Sequence, residues 1–218
     1  MSIFSPRFRR SSNSKAPKGF TLIELVVVIA IMVLITTAIL ARQARFDSST
    51  LLRSLSYSVA LTIRSAQVYG TSVRGSATAQ ANCTAGTYVS GSCYAGAYGV
   101  YFNGPNSYSL FADNNGNGVY DASVDTIVQT YQIGAGFQIS KFCGVLPGGS
   151  KHCSTDGSPI SWLVVYFKRP NPDALFTSSA GETYNGAYIQ IAAINDPTNT
   201  HSISVASTGE IAVGAAGS

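Results

Sequence analysis

The sequence predicts an α+β protein, with one long N-terminal helix followed by an antiparallel, β-rich head. Three observations lead there. From Phe20 to Tyr69 the chain holds no Gly and no Pro, and an apolar run passes into a stripe of helical period. Beyond residue 71 the chain changes to short β-branched and aromatic runs split by Gly, Asn and Pro. No helix-period segment interleaves with those runs, so their sheet is expected to be antiparallel rather than built from crossover units. A chain of 218 residues and 22.8 kDa fits one domain, or one domain with an appendage. Charged residues make up only 11%, against about 25% in an average domain. The 12 Tyr and 10 Phe argue against a disordered chain. The expected division is 1–19, a basic leader; 20–42, an apolar helix; 43–70, the amphipathic half of that helix; and 71–218, the head.

The leader carries Arg7, Arg9, Arg10, Lys15 and Lys18 and no acid. The formal net charge is +4, yet after residue 19 nine bases face ten acids. The positive balance therefore belongs to the leader. It marks the orientation of a membrane segment rather than a surface for nucleic acid.

From Leu25 to Ala41 every residue except Thr36 and Thr37 is apolar. Counted from Phe20 the run has 22 residues. At about 1.5 Å per residue it spans about 33 Å, matching a hydrocarbon core of about 30 Å. A cleaved secretory signal would be shorter, roughly 7–15 apolar residues before a small-x-small site. Here Arg42 follows directly. The basic flank keeps the N-terminus in the cytoplasm and sends the head across the membrane. Glu24 is the discordant residue. A carboxylate within a span costs roughly 2.5–3.5 kcal/mol, so it either stays at the interface or has a partner that offsets the cost.

Lys18-Gly19-Phe20-Thr21-Leu22-Ile23-Glu24-Leu25 resembles the type IV prepilin signature. The resemblance implies cleavage after Gly19 by a prepilin peptidase and methylation of the new N-terminal Phe20. It also implies that Glu24 pairs with the N-terminal amine of a neighbouring subunit, which supplies the missing partner. The partners it implies are other pilin or pseudopilin subunits, an inner-membrane assembly platform, and lipid before assembly. It requires no cofactor and no enzymatic activity. A second, looser similarity points to H-type minor pseudopilins and minor type IV pilins. It rests on the helix 55–73, on Gly99-Val100-Tyr101-Phe102 leading to Phe111-Ala112-Asp113, and on the terminal stretch 203–211.

In the second half of the helix, Leu52, Leu55, Val59, Ile63 and Ala66 recur at spacings of 3, 4, 4 and 3. That stripe is expected to lie on the head, with Arg53, Arg64 and Gln67 off it and Gly70 as the stop. A helix from Phe20 to Tyr69 would be about 75 Å long. Strands are expected at 98–102 and 108–111 around a turn at 103–106, then at 126–133, 137–140, 160–167 and 188–194. A last hairpin joins Ile203/Val205 to Ile211/Val213 about Ser207-Thr208-Gly209.

The four cysteines form two short-spaced pairs, Cys83/Cys93 and Cys143/Cys153, beyond the membrane segment where oxidation is allowed. Equal spacings favour pairing within each couple. No Cys-x2-Cys pair exists to suggest zinc. Asp113, Asn115 and Asn117 with Gly118 after them follow the opening of a calcium loop, with the Val119 carbonyl as a further ligand. The twelfth position is Val124 rather than Glu, leaving Asp121 and Asp125 as the remaining carboxylates. Two readings stand: a weak Ca2+ site, or a Gly/Asn-rich turn held by Asx turns.

Other signals fail. Gly144–Lys151 superficially resembles a phosphate loop, but its order is Ser-Lys. His152 and His201 belong to no nucleophile motif. Lys168-Arg169 after Tyr166-Phe167 is a small basic-aromatic patch. It keeps a DNA-binding uptake pilin as a rival, although from Asp47 onward seven bases face nine acids, which argues against nucleic acid as a partner. The third reading is a membrane-anchored ectodomain that never polymerises.

Overall fold

The computed structural model describes residues 19–72 and 96–215. A helix, α1, covers Leu22–Thr71. The chain divides into two compact units between Arg45 and Phe46, so α1 contributes to both.

In the first unit α1 starts just after Thr21, two residues later than expected. The Glu24 N–H donates to Thr21 Oγ1 at 3.4 Å, and the Leu25 N–H to the Thr21 carbonyl at 3.2 Å. Thr-x-x-Glu is the spacing of a capping box. Leu22–Leu40 is long and apolar enough to cross a membrane, and none of it is buried among the described residues. Its two hydroxyls need no outside partner. Thr36 donates to the Met32 carbonyl at 2.8 Å and Thr37 to the Val33 carbonyl at 2.7 Å. In a medium without water this satisfies every side-chain donor of the run.

In the second unit the helix buries Leu52, Ser56, Val59, Ile63, Ala66 and Gln67. The expected stripe is there, with Ser56, Ala60, Thr62 and Gln67 buried in addition. Ser56 lies on the buried face, its hydroxyl donating to the Leu52 carbonyl at 2.8 Å. Gln67, expected off the stripe, is buried too. Gly70 does not stop the helix, which runs on to Thr71. Its role is close approach: a Cβ there would stand 2.3 Å from the Phe167 carbonyl oxygen.

Among the described residues the head holds ten strands, all paired antiparallel as expected. They are β1 (Ala97–Phe102), β2 (Ser107–Asp113), β3 (Thr126–Gln132), β4 (Phe137–Val145), β5 (Lys151–Cys153), β6 (Leu163–Phe167), β7 (Ala174–Ser178), β8 (Gly186–Ala193), β9 (Asp196–Ala206) and β10 (Ile211–Ala215). They form two sheets rather than one, in the orders β3-β2-β1-β6-β7 and β10-β9-β8-β4-β5. The short strands β5 and β7 were not anticipated. The expected strand at 160–167 begins only at Leu163, with Ile160 buried ahead of it. β4 runs five residues past Ser140 because a bulge between Ile139 and Lys141 absorbs that residue. The Ser140 hydroxyl donates to the Gln190 carbonyl at 3.1 Å. One core joins the helix stripe to both sheets, with Leu52, Val59 and Ile63 packed among Phe102, Val165, Phe167, Ile189 and Ile203.

Candidate functional site

Gly19, Phe20 and Thr21 stand ahead of α1 in non-helical backbone. Phe20 is 83% exposed, and among the described residues nothing lies within 4 Å of the Cβ position of Gly19. The Gly19–Phe20 peptide bond is thus outside the helix. Glu24 follows in the first turn, where the partial positive charge of the helix N-terminus favours a carboxylate. Its neighbours Leu22, Ile23, Leu25 and Val26 are all exposed among the described residues, giving an apolar surface with one acid at its head. The sequence reading passed over Thr21, although the Thr-x-x-Glu spacing announces it.

The second candidate, the connection from β2 to β3, has a different construction. Asp113 is fully buried. Its Oδ1 accepts from the Gly116 N–H at 2.6 Å, and its Oδ2 from the Gly118 N–H at 2.8 Å. Asn115 Oδ1 accepts from the Asn117 N–H at 3.1 Å, and Asn117 Oδ1 from the Val119 N–H at 2.8 Å. Asp125 binds the N–H groups of Asn114 (2.9 Å) and Asp121 (2.8 Å). Burial pushes the Asp125 carboxyl up, while hydrogen bonds from Ser123 hold Asp121 below the usual range. The carboxylates of Asp113 and Asp125 thus accept from the loop's own backbone N–H groups. Among the described residues no three His, Cys, Asp or Glu side chains converge on one point.

What the loop does is cover the outer face of the first sheet. Gly118, at φ +75°, lies on the Tyr166 ring, and a Cβ there would meet it at 2.4 Å. Tyr120 packs edge-on against the buried Phe111, with ring centroids 5.3 Å apart. Lys168 Nζ donates to the Gly116 carbonyl at 3.5 Å, and Thr177 Oγ1 donates to that of Gly118. Lys168, a candidate for DNA contact, is thus used as a loop anchor. Arg169 follows it at the end of β6.

Cys143 and Cys153 form a disulfide across the directly paired strands β4 and β5. Cys83 and Cys93 lie outside the described residues. His152, one residue before this disulfide's end, has Nδ1 2.7 Å from Glu182 Oε2 and Nε2 2.6 Å from the Ser158 carbonyl. Both nitrogens face acceptors, an arrangement that favours the imidazolium form of the ring. The Glu182 hydrogen bond raises the His152 pKa, and the same bond holds Glu182 low. Glu182 also accepts from Tyr184, whose hydroxyl lies 2.8 Å from that of the buried Ser178. No side chain of this chain of contacts is set as a nucleophile, and it ties the edge strands of the two sheets together.

Residues 14–40 match the family model of the prokaryotic N-terminal methylation motif. The match covers Gly19, Phe20, Glu24 and the apolar helix, and it ends before the head. It supports a type IV pilin-like N-terminus of the kind a prepilin peptidase processes, and proteins with that motif are structural rather than enzymatic. Comparisons with curated proteins and with solved structures found no match.

Proposed function

We propose that the chain is a minor pilin or pseudopilin. A prepilin peptidase cuts it after Gly19 and Phe20 is methylated. The mature chain waits in the inner membrane with its head outside the cytoplasm, then enters a type IV pilus or a type II secretion pseudopilus. The observation that carries this reading is the methylation motif at residues 14–40, set on an apolar helix long enough to cross a membrane, with one acid in its first turn.

The physical logic follows from that helix. Its 19 residues from Leu22 to Leu40 are stable in lipid or against other apolar helices, and unstable in water. Leaving lipid for a filament core exchanges one apolar environment for another. Packing, together with the carboxylate, then selects the position. Glu24 in an apolar core costs roughly 2.5–3.5 kcal/mol unless a cation meets it. The free amine of a processed Phe20 on a neighbouring subunit is that cation, so only the paired register is favourable. The head's disulfide and its satisfied loop suit a subunit working outside the cytoplasm.

Intact-mass measurement on the chain from cells with an active prepilin peptidase is expected to show loss of residues 1–19 and a methylated Phe20. An unprocessed N-terminus there sinks the reading. Glu24→Ala is expected to insert in the membrane normally yet fail to enter filaments, and normal incorporation would refute the register role.

A further inference from the structure

Four Asn-Gly pairs occur in the chain: Asn103-Gly104, Asn115-Gly116, Asn117-Gly118 and Asn185-Gly186. This dipeptide is chemically fragile, because Gly has no Cβ to hinder its backbone nitrogen. The nitrogen bonds to the Asn Cγ and loses its proton, and the side-chain nitrogen leaves as ammonia. Water then opens the cyclic imide at either carbonyl, giving Asp or isoaspartate. Water is the only co-reactant. The step requires the Gly N–H to leave any hydrogen bond it makes and turn toward Cγ.

The four pairs are held very differently. One buried carboxylate, Asp113, takes both the Gly116 and Gly118 N–H groups, at 2.6 and 2.8 Å. Its loop is fixed in turn by Gly96 N–H on the Asp113 carbonyl at 2.8 Å and by Thr177 on Gly118. Asn185 has its N–H on the Val145 carbonyl at 2.8 Å and its carbonyl on the Ser207 N–H at 3.0 Å, so the strand ladder sets its backbone. Asn103-Gly104 sits at an open hairpin turn. Asn103 is exposed, and the Gly104 N–H has no partner among the described residues.

We infer that Asp113 guards Asn115 and Asn117 against deamidation, and that Asn103 is where the folded chain deamidates first. The guard matters because a failure in this loop adds a carboxylate beside Asp113, Asp121 and Asp125. An isoaspartate also lengthens the backbone and lifts the cover from Phe111 and Tyr166.

The test is timed incubation of the full chain in detergent, in warm and mildly alkaline buffer, with peptide mapping by mass spectrometry. Asn103 is expected to convert first. Asn115 and Asn117 are expected to lag by roughly tenfold or more, the factor a hydrogen bond to a charged group is worth. Asp113→Ala should bring both up to the rate of Asn103, while the Asn103 rate stays put as an internal clock. If the variant unfolds, Asn103 and Asn185 accelerate as well, and native-state hydrogen exchange then decides: the Gly116 and Gly118 amides of the unmutated chain must exchange more slowly than that of Gly104. Equal conversion at Asn103, Asn115 and Asn117, equal exchange at the three glycines, or a folded Asp113→Ala chain with Asn115 and Asn117 still slow overturns the inference.

Discussion

Gln67 offers the sharpest test of how the helix is fastened to the head. Its Nε2 donates to the Pro172 carbonyl at 2.8 Å and to the Gly209 carbonyl at 3.2 Å, 105 and 142 residues away in sequence. Its Oε1 accepts from Arg64. Gln67 is only 5% exposed, so water does not replace a lost donor easily. Gln67→Glu keeps the shape and exchanges the donating amide nitrogen for an acceptor, leaving two carbonyls facing a carboxylate. A buried polar group that loses its partner costs about 1–3 kcal/mol, so two carbonyls together set an expected loss of about 3 kcal/mol. Gln67→Leu removes the donor without adding an acceptor and should cost somewhat less. Urea unfolding of the full chain in detergent, followed by tyrosine and tryptophan fluorescence, reads both. Values within about 0.5 kcal/mol of the unmutated chain for both variants would refute the fastening role, since that is the range of ordinary surface substitutions.

Other outcomes follow from the same structure. Replacing Cys143 and Cys153 by Ser should lower stability by roughly 2.5–3 kcal/mol, the chain-entropy value for so short a loop, checked by the same unfolding curves. The His152–Glu182 contact should make the melting temperature depend on pH in two directions. His152 titrates above its ordinary 6.5 in the folded chain, so its contribution is complete below that value and fades as pH rises through the folded pKa. Glu182 titrates below its ordinary 4.5, so its share is present above that value and fades as pH falls through its folded pKa. The gap between the unmutated chain and His152→Gln should therefore be widest between those limits, and a gap independent of pH would contradict the imidazolium assignment. Finally, with Asp113 and Asp125 bonded to backbone N–H groups, millimolar calcium should leave the melting temperature unchanged; a rise reversed by chelator would establish the calcium reading instead.

Much of the fold was legible because its signals are local. The apolar run and the Leu52–Ala66 stripe state their period within a few turns. Phe102, Tyr108, Ile189 and Val205 lie in runs whose composition suits strands, and the turns at Asn103–Asn106 and Ser207–Gly209 announce themselves. The methylation motif was equally legible, since Gly19, Phe20 and Glu24 lie within six residues of one another and need no tertiary partner to be recognised. β5 and β7 were missed because three- and five-residue edge strands carry too little pattern to stand out from loops.

By itself the sequence determined the apolar helix, the acid at its head, the antiparallel head and the pairing options of its cysteines. Each depends on composition or on spacing along the chain. Only the tertiary structure decided that the strands divide into two sheets, that Gln67 turns inward, that Gly70 is a contact rather than a stop, and that Asp113 serves its own loop. These depend on groups far apart in sequence: Gln67 on Gly209, Gly70 on Phe167, Gly118 on Tyr166 and Thr177. A polar side chain or a glycine takes its meaning from what it faces, and what it faces is settled only when the chain has folded.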